Sequence, residues 1–159
     1  MGVLAERLKE RIYAGLSVLA VTLGLALSGT PTAGPSAVAI AGTAVGLWLA
    51  TIIAELLSHR VTYGVAARGR DLWRMFYVSA PLLTAAVGPL ILIGVAALGL
   101  LPLVTALYIA VAVDTVSLFV WGLVSGLRMK AGVGVALLSG MANLAIGGLV
   151  IMVKLAAGH

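Results

Sequence analysis

Apolar residues fill five long runs of this chain, and short polar or Gly- and Pro-containing segments separate the runs. A helix needs about 20 apolar residues, with a range of roughly 17–25, to cross the hydrocarbon core of a bilayer. We therefore predict five membrane-spanning helices over residues 12–28, 37–57, 75–98, 103–127 and 131–153. A cleaved signal peptide is the alternative for the first run, although that run is longer than the roughly 7–15 apolar residues of such signals.

The polar segments alternate between uncharged and basic ones. Segments 29–36 and 99–102 carry no charge, whereas nine of the ten Lys and Arg residues lie in segments 7–11, 60–74 and 128–130. Basic loops are retained in the cytoplasm, so we expect the N-terminus inside and the C-terminus outside. The first part of the loop after residue 57 is expected to continue the second helix beyond the membrane.

Composition supports an all-α integral membrane bundle. The chain is 62% hydrophobic and 9% charged, against about 25% charged residues in soluble domains. It has no Cys, so disulfides and thiolate metal ligands are excluded. The net charge of +5 is explained by the basic loops and does not indicate nucleic-acid binding. No catalytic constellation is visible, so we do not expect an enzyme.

Asp114 lies near the centre of the fourth predicted span. A charge at this depth costs several kcal/mol unless the group is protonated, paired or hydrated. Asn143 lies at a similar depth of the fifth span, and a short turn joins the two helices. We expect Asp114 and Asn143 to meet, with Asp114 largely protonated and both residues taking part in proton or cation coupling. The alternative is a structural pair, because interhelical hydrogen bonds also stabilise membrane bundles.

Glu55 and His59 are four residues apart, on one face of the second helix near its cytoplasmic end. A carboxylate and an imidazole in this arrangement can bind a divalent cation such as Fe²⁺, Mn²⁺ or Zn²⁺ if other residues complete the site. The alternative is an interfacial Glu55 that pairs with Arg60 or another arginine of the loop.

Two prolines interrupt the third span. Pro81 and Pro89 each remove a backbone donor and, in a continuous helix, free the carbonyl groups of Tyr77 and Ala85. We predict that they loosen this helix for gating. The loop before it contains four arginines that determine topology and meet anionic lipid head groups; they are Arg60, Arg68, Arg70 and Arg74.

Two Gly-x-x-x-Gly pairs, Gly42 with Gly46 and Gly122 with Gly126, allow helices to approach closely. Packing is the role that we expect for both pairs. Whether each contact lies within one subunit or between subunits stays open, and we expect a homodimer or a larger homo-oligomer.

Several short stretches resemble the vacuolar iron transporter family, which includes bacterial and yeast iron/manganese transporters. Residues 11–15 (RIYAG) are similar to the start of the family's first helix, and residues 34–42 (GPSAVAIAG) to the turn into its second. Residues 54–58 (AELLS) resemble its Gly-Glu-Tyr-hydrophobic-Ser ending, and residues 122–126 and 138–148 its last two helices. The layout of five spans also matches.

Two features depart from the family pattern. The family's first helix carries an Asn-Asp-Gly whose Asp handles metal, but the matching region near Leu16 and Ser17 has no acid. The family's glutamate-rich cytoplasmic segment is replaced by the short basic loop. Only Glu55 matches a functional family position, and Asp114 matches none.

Together, the residues and the resemblance predict a small proton-coupled transporter of a divalent cation, iron or manganese. The cation would be a substrate, and no permanently bound cofactor is expected. The alternative is a non-transporting scaffold or accessory subunit that binds a partner protein or anionic lipid. We expect the cytoplasmic membrane of a prokaryote as its location.

Overall fold

The structure, a computed structural model, describes residues 2–128 and 132–157, apart from the side chains of 154, 155 and 157. The elements are α1 (Gly2–Leu27), α2 (Ala33–Tyr63), α3 (Arg70–Thr84), α4 (Val87–Ala97), α5 (Leu103–Arg128) and α6 (Val133–Ala157). No strand occurs within those ranges. Five helical segments are long and apolar enough to cross a membrane, with α3 and α4 together forming one of them. The predicted all-α membrane architecture is confirmed to that extent.

Most helices are longer than the predicted spans. α1 begins at Gly2 because its charged first turns continue directly into the apolar run, and α2 continues to Tyr63, as expected. α2 ends at Gly64, whose φ of 68° lets its N–H bond the carbonyl of Arg60. The predicted turn over 29–36 is too long, because α2 already begins at Ala33. The residues predicted as a basic turn, 129 and 130, and the predicted start of the fifth span, 131, lie outside the described ranges.

The third span is two helices rather than one. α3 contains Pro81 and ends at Thr84, and α4 begins at Val87. Pro89 therefore occupies the first turn of α4, where a helix needs no backbone donor. The break at 85–86 is slight, because both residues keep helical dihedral angles and Ala85 still donates to the Pro81 carbonyl at 3.1 Å.

The apolar core lies between α1, α2, α4 and α5. Val18, Ala26, Ile40, Ile93 and Leu107 are all buried in one cluster there. α6 joins the bundle mainly through α5. This contact holds α5 in place, and α5 carries Asp114 and one wall of a cavity described below.

Candidate functional site

One end of the bundle collects charged side chains from four helices, and we call it the basic end. It is formed by the start of α1, the end of α2, the start of α3 and the end of α5. Arg74 of α3 donates from Nη2 to both carboxylate oxygens of Glu6, at 3.0 and 3.2 Å. Arg11 of α1 stacks over Trp121 of α5, with 4.5 Å from the guanidinium carbon to the ring centroid. These contacts bring the charged N-terminal segment together with the first turns of α3 and with the last turns of α5.

An acidic pocket of about 570 Å³ opens at the basic end between α1, α2 and α3. Glu6, Glu55, His59, Asp71 and Arg74 supply its charged and titratable lining. Glu6 and the buried Glu10, both of α1, are close enough to Glu55 to repel its carboxylate electrostatically. The sequence prediction included Glu55 and His59 but missed Glu6, Glu10 and Asp71, because those residues belong to other helices.

Glu55 and His59, the predicted metal ligands, line the same pocket. His59 Nε2 lies 4.0 Å from Asp71 Oδ2, and its ring packs against Tyr63 with 4.7 Å between centroids. Within residues 2–128 and 132–157, no three acidic or His side chains are close enough to hold one metal ion. The pocket can attract a cation through its carboxylates, and a chelating role for Glu55 and His59 stays a prediction.

Asp114 lies on the packed face of α5, between Ala110 and Leu118, both of which are buried. In the described part of the chain its Oδ2 is buried without a hydrogen-bond partner. The stacking of Arg11 on Trp121 and the contact of Gly15 with Leu118 set α1 antiparallel to α5. In that register, Asp114 is one helical turn farther from the basic end than Leu118 is. Asp114 therefore lies well inside the apolar length of α5.

Asn143 does not supply the hydrogen bond that we expected for Asp114. Its Nδ2 donates to the backbone carbonyl of Leu118 at 3.3 Å, one turn away along α5. The reason is the close approach of α5 and α6. A Cβ on Gly122 would lie 2.8 Å from Asn143 Nδ2 and 2.6 Å from the Ser139 carbonyl, so the amide meets the α5 backbone directly. Asn143 therefore joins two helices.

The carbonyl freed by Pro81 has a partner that the sequence did not indicate. Arg7 Nη1 donates to the carbonyl of Tyr77 at 2.6 Å, and the same guanidinium stacks 3.9 Å above the Tyr77 ring. A charged donor thus satisfies a backbone group that would be costly to leave unpaired in a membrane. The gating roles of Pro81 and Pro89 stay predictions.

The four arginines predicted to meet lipid differ in their surroundings. Arg74 is held by Glu6, with its side chain 58% exposed. Arg60, Arg68 and Arg70 are exposed. Contact with lipid head groups stays a prediction for all four, and for Arg74 it would compete with the ion pair.

A second cavity, the arginine cavity, was not predicted. It has a volume of about 700 Å³ and lies between α1, α3 and α5 at the basic end. Arg7, Arg11 and Arg128 line it together with Tyr77 and Trp121. The i, i+4 spacing of Arg7 and Arg11 was visible in the sequence, but nothing in the sequence placed them against α5.

Comparison of the chain with family models, with curated proteins and with solved structures finds no match.

Proposed function

We propose that the protein is a small secondary transporter that exchanges protons for a divalent cation, with Asp114 as the protonatable group. One observation carries this proposal: the buried Oδ2 of Asp114 has no hydrogen-bond partner in the described part of the chain. The buried hydroxyl groups of Thr22 and Ser36 also have no partner there, but of the three side chains only Asp114 is an acid that can take up and release a proton. An ionisable group inside a span is a functional candidate by default.

The acidic pocket would be the cytoplasmic entrance for the cation. Glu55 comes from α2, and Glu6 and Glu10 of α1 both interact electrostatically with it. Iron and manganese in their divalent forms accept carboxylate and imidazole ligands, and His59 adds an imidazole at the same wall. Cation binding would relieve the repulsion among the carboxylates.

The test is manganese uptake and proton release in proteoliposomes, with Asp114→Asn, Glu55→Gln and a control, Arg68→Gln. Arg68 is the control because it is exposed between α2 and α3 and does not line the acidic pocket. We expect Asp114→Asn to abolish proton-coupled uptake and Glu55→Gln to raise the half-saturating manganese concentration about tenfold, which is about 1.4 kcal/mol. Arg68→Gln should stay within about twofold of the native protein, a difference below about 0.5 kcal/mol.

Uptake that persists in Asp114→Asn would reject the coupling role. If the native protein folds and moves no cation, the transporter is rejected, and a non-transporting accessory subunit becomes the better description. A stoichiometric partner that co-purifies from native membranes would then be the expected observation.

We also propose that the basic end faces the cytoplasm, because it gathers Arg7, Arg11, Arg74 and Arg128, as the positive-inside rule requires. The chain has no Cys, so single cysteines report their side of the membrane. Thr30→Cys, in the turn before α2, should react with an impermeant maleimide on intact cells. Val65→Cys, after α2, should react only in inverted vesicles. The reverse pattern would invert the topology.

A further inference from the structure

The arginine cavity gathers positive charge that the described residues leave uncompensated. The ion pairs found among them are Lys9 with Glu10, His59 with Asp71, and Arg74 with Glu6. Arg7, Arg11 and Arg128 take part in none of these pairs, and no acidic side chain is among the residues that line the cavity in residues 2–128. Three guanidinium groups around one recess make a strongly positive site that favours an anionic ligand.

Two of the three arginines are already held in place. The Tyr77 carbonyl and ring hold Arg7, and Trp121 and the Thr84 hydroxyl, 3.5 Å from Arg11 Nη1, hold Arg11. A guanidinium has five N–H donors, and each of these arginines uses one in the contacts given. The remaining donors are pre-oriented, which lowers the entropic cost of binding a ligand. Arg128, at the exposed end of α5, can close on a ligand from the other wall.

We propose that the arginine cavity binds a phosphate group. Arginine matches phosphate oxygens through paired hydrogen bonds, and Ser125 adds a hydroxyl donor at the α5 wall. The group could belong to an anionic phospholipid or to free phosphate. The apolar walls formed by Leu4, Leu8 and Val124 fit the upper part of an acyl chain, so phosphatidylglycerol is the probe expected to bind more tightly. This site does not depend on the proposed transport function.

The test measures thermal stability of the purified, detergent-solubilised protein against three probes: short-chain phosphatidylglycerol, short-chain phosphatidylcholine and inorganic phosphate. The native protein is compared with Arg11→Gln/Arg128→Gln and with Lys9→Gln, which removes a charge that is 79% exposed and does not line the cavity. Arg128→Gln alone and Arg128→Lys are included, because Arg128 is exposed at a helix end and its replacement should not impair folding.

We expect phosphatidylglycerol to raise Tm more than phosphatidylcholine does. The apparent affinity should fall tenfold or more in the double variant, because it removes two of the three guanidinium groups that line the cavity. It should fall less in Arg128→Gln, recover in part in Arg128→Lys, which keeps the charge without the paired hydrogen bonds, and remain native in Lys9→Gln. An equal response of the double variant and Lys9→Gln would overturn the proposal, as would a native protein that responds to neither phosphatidylglycerol nor phosphate.

Two measurements distinguish a phospholipid from free phosphate: the response to each probe, and the fluorescence of Trp121, which lines the cavity. In a Trp48→Phe/Trp73→Phe background, phosphatidylglycerol with brominated acyl chains should quench Trp121 fluorescence, and Arg11→Gln/Arg128→Gln should reduce that quenching. A response to inorganic phosphate at equal or lower concentration, without such quenching, would keep the phosphate site and assign it to a soluble ligand.

Discussion

The acidic pocket and the arginine cavity share the first turns of α1 but differ in how their charges are balanced. Glu6 lines the pocket on one side of the helix, and Arg7 and Arg11 line the cavity on the other. In the pocket, Arg74 and His59 lie within 4.0 Å of carboxylates. In the cavity, the arginines are held by aromatic rings, a carbonyl and a hydroxyl, so their charge is oriented without being neutralised.

This difference indicates that the cavity has the greater need of a bound counter-ion. In the pocket, basic side chains already lie close to carboxylates, and the carboxylates can also attract a cation when they are ionised. The cavity keeps its positive charge under all ordinary conditions, because arginine does not lose its proton in proteins. The same short amphipathic segment therefore supports two recesses of opposite charge, and they can be separated by mutation.

The largest expected effect comes from Gly126→Ala, which should damage the cavity and spare the pocket. A Cβ at Gly126 would collide with the backbone and Cβ of Ala136, and backbone cannot yield cheaply. We expect the free energy of unfolding to fall by about 2 kcal/mol or more. α5 must move away from α6, and α5 carries Trp121 and Arg128, whereas the pocket has no lining residue from α5.

Unfolding in mixed micelles with increasing dodecyl sulfate measures this loss, and Gly42→Ala is the matched control. Nothing lies within 4 Å of a Cβ at Gly42, so alanine should change the free energy of unfolding by at most about 1 kcal/mol, and in the stabilising direction. Equal effects of the two substitutions would show that the α5–α6 contact is looser than described.

Arg7→Gln should have the next largest effect, because it removes the partner of the carbonyl freed by Pro81. The loss of a charged hydrogen bond and of the stacking on Tyr77 should cost about 2 kcal/mol. The same unfolding experiment measures it, with Arg7→Lys expected in between. Arg60→Gln, an exposed arginine of α2, should change stability by less than about 0.5 kcal/mol. If Arg7→Gln matches that control, the carbonyl must find another partner.

The smallest effect is expected for the ion pair between Glu6 and Arg74. Their side chains are 47% and 58% exposed, so water and salt screen the attraction. A double-mutant cycle with Glu6→Gln and Arg74→Gln should give a coupling energy of about 0.5 kcal/mol. The coupling should shrink further at about 1 M salt, where the Debye length is roughly 3 Å. A salt-independent coupling above about 2 kcal/mol would mean that the ion pair is protected from water and salt. The screening expected for the pocket would then be wrong.

The extent of the prediction from sequence varies along the chain. The helices around 103–127 and 37–57 were predicted well because an apolar run must satisfy its backbone internally in a membrane. Packing through Gly122 and Gly126 is confirmed by their contacts with α6, whereas a Cβ on Gly42 or Gly46 would meet no atom of another helix within 4 Å in the described residues. The spacing is identical in both pairs, so only the position of a neighbouring helix distinguishes them.

The candidate sites show the same limit. The position of Asp114 within its span follows from counting residues, and the i, i+4 geometry of Glu55 and His59 follows from the helical repeat. The hydrogen bond of Asn143 to Leu118 could not be predicted, because a shift of one turn between α5 and α6 changes the partner and leaves the apolar pattern unchanged.

The sequence by itself determined that this protein is an all-helical chain with five segments long and apolar enough to span a membrane, and that one of them carries a carboxyl group near its centre. These properties depend on the length and period of apolar runs and on local charge, all of which act along a single helix. The tertiary structure decided that Arg7 pairs with the Tyr77 carbonyl, that Asn143 bonds Leu118, and that the first turns of α1 divide an acidic pocket from an arginine cavity. Those contacts depend on the rotation and register of one helix against another. Close packing of side chains between helices sets both, and the sequence pattern of a single helix does not contain them.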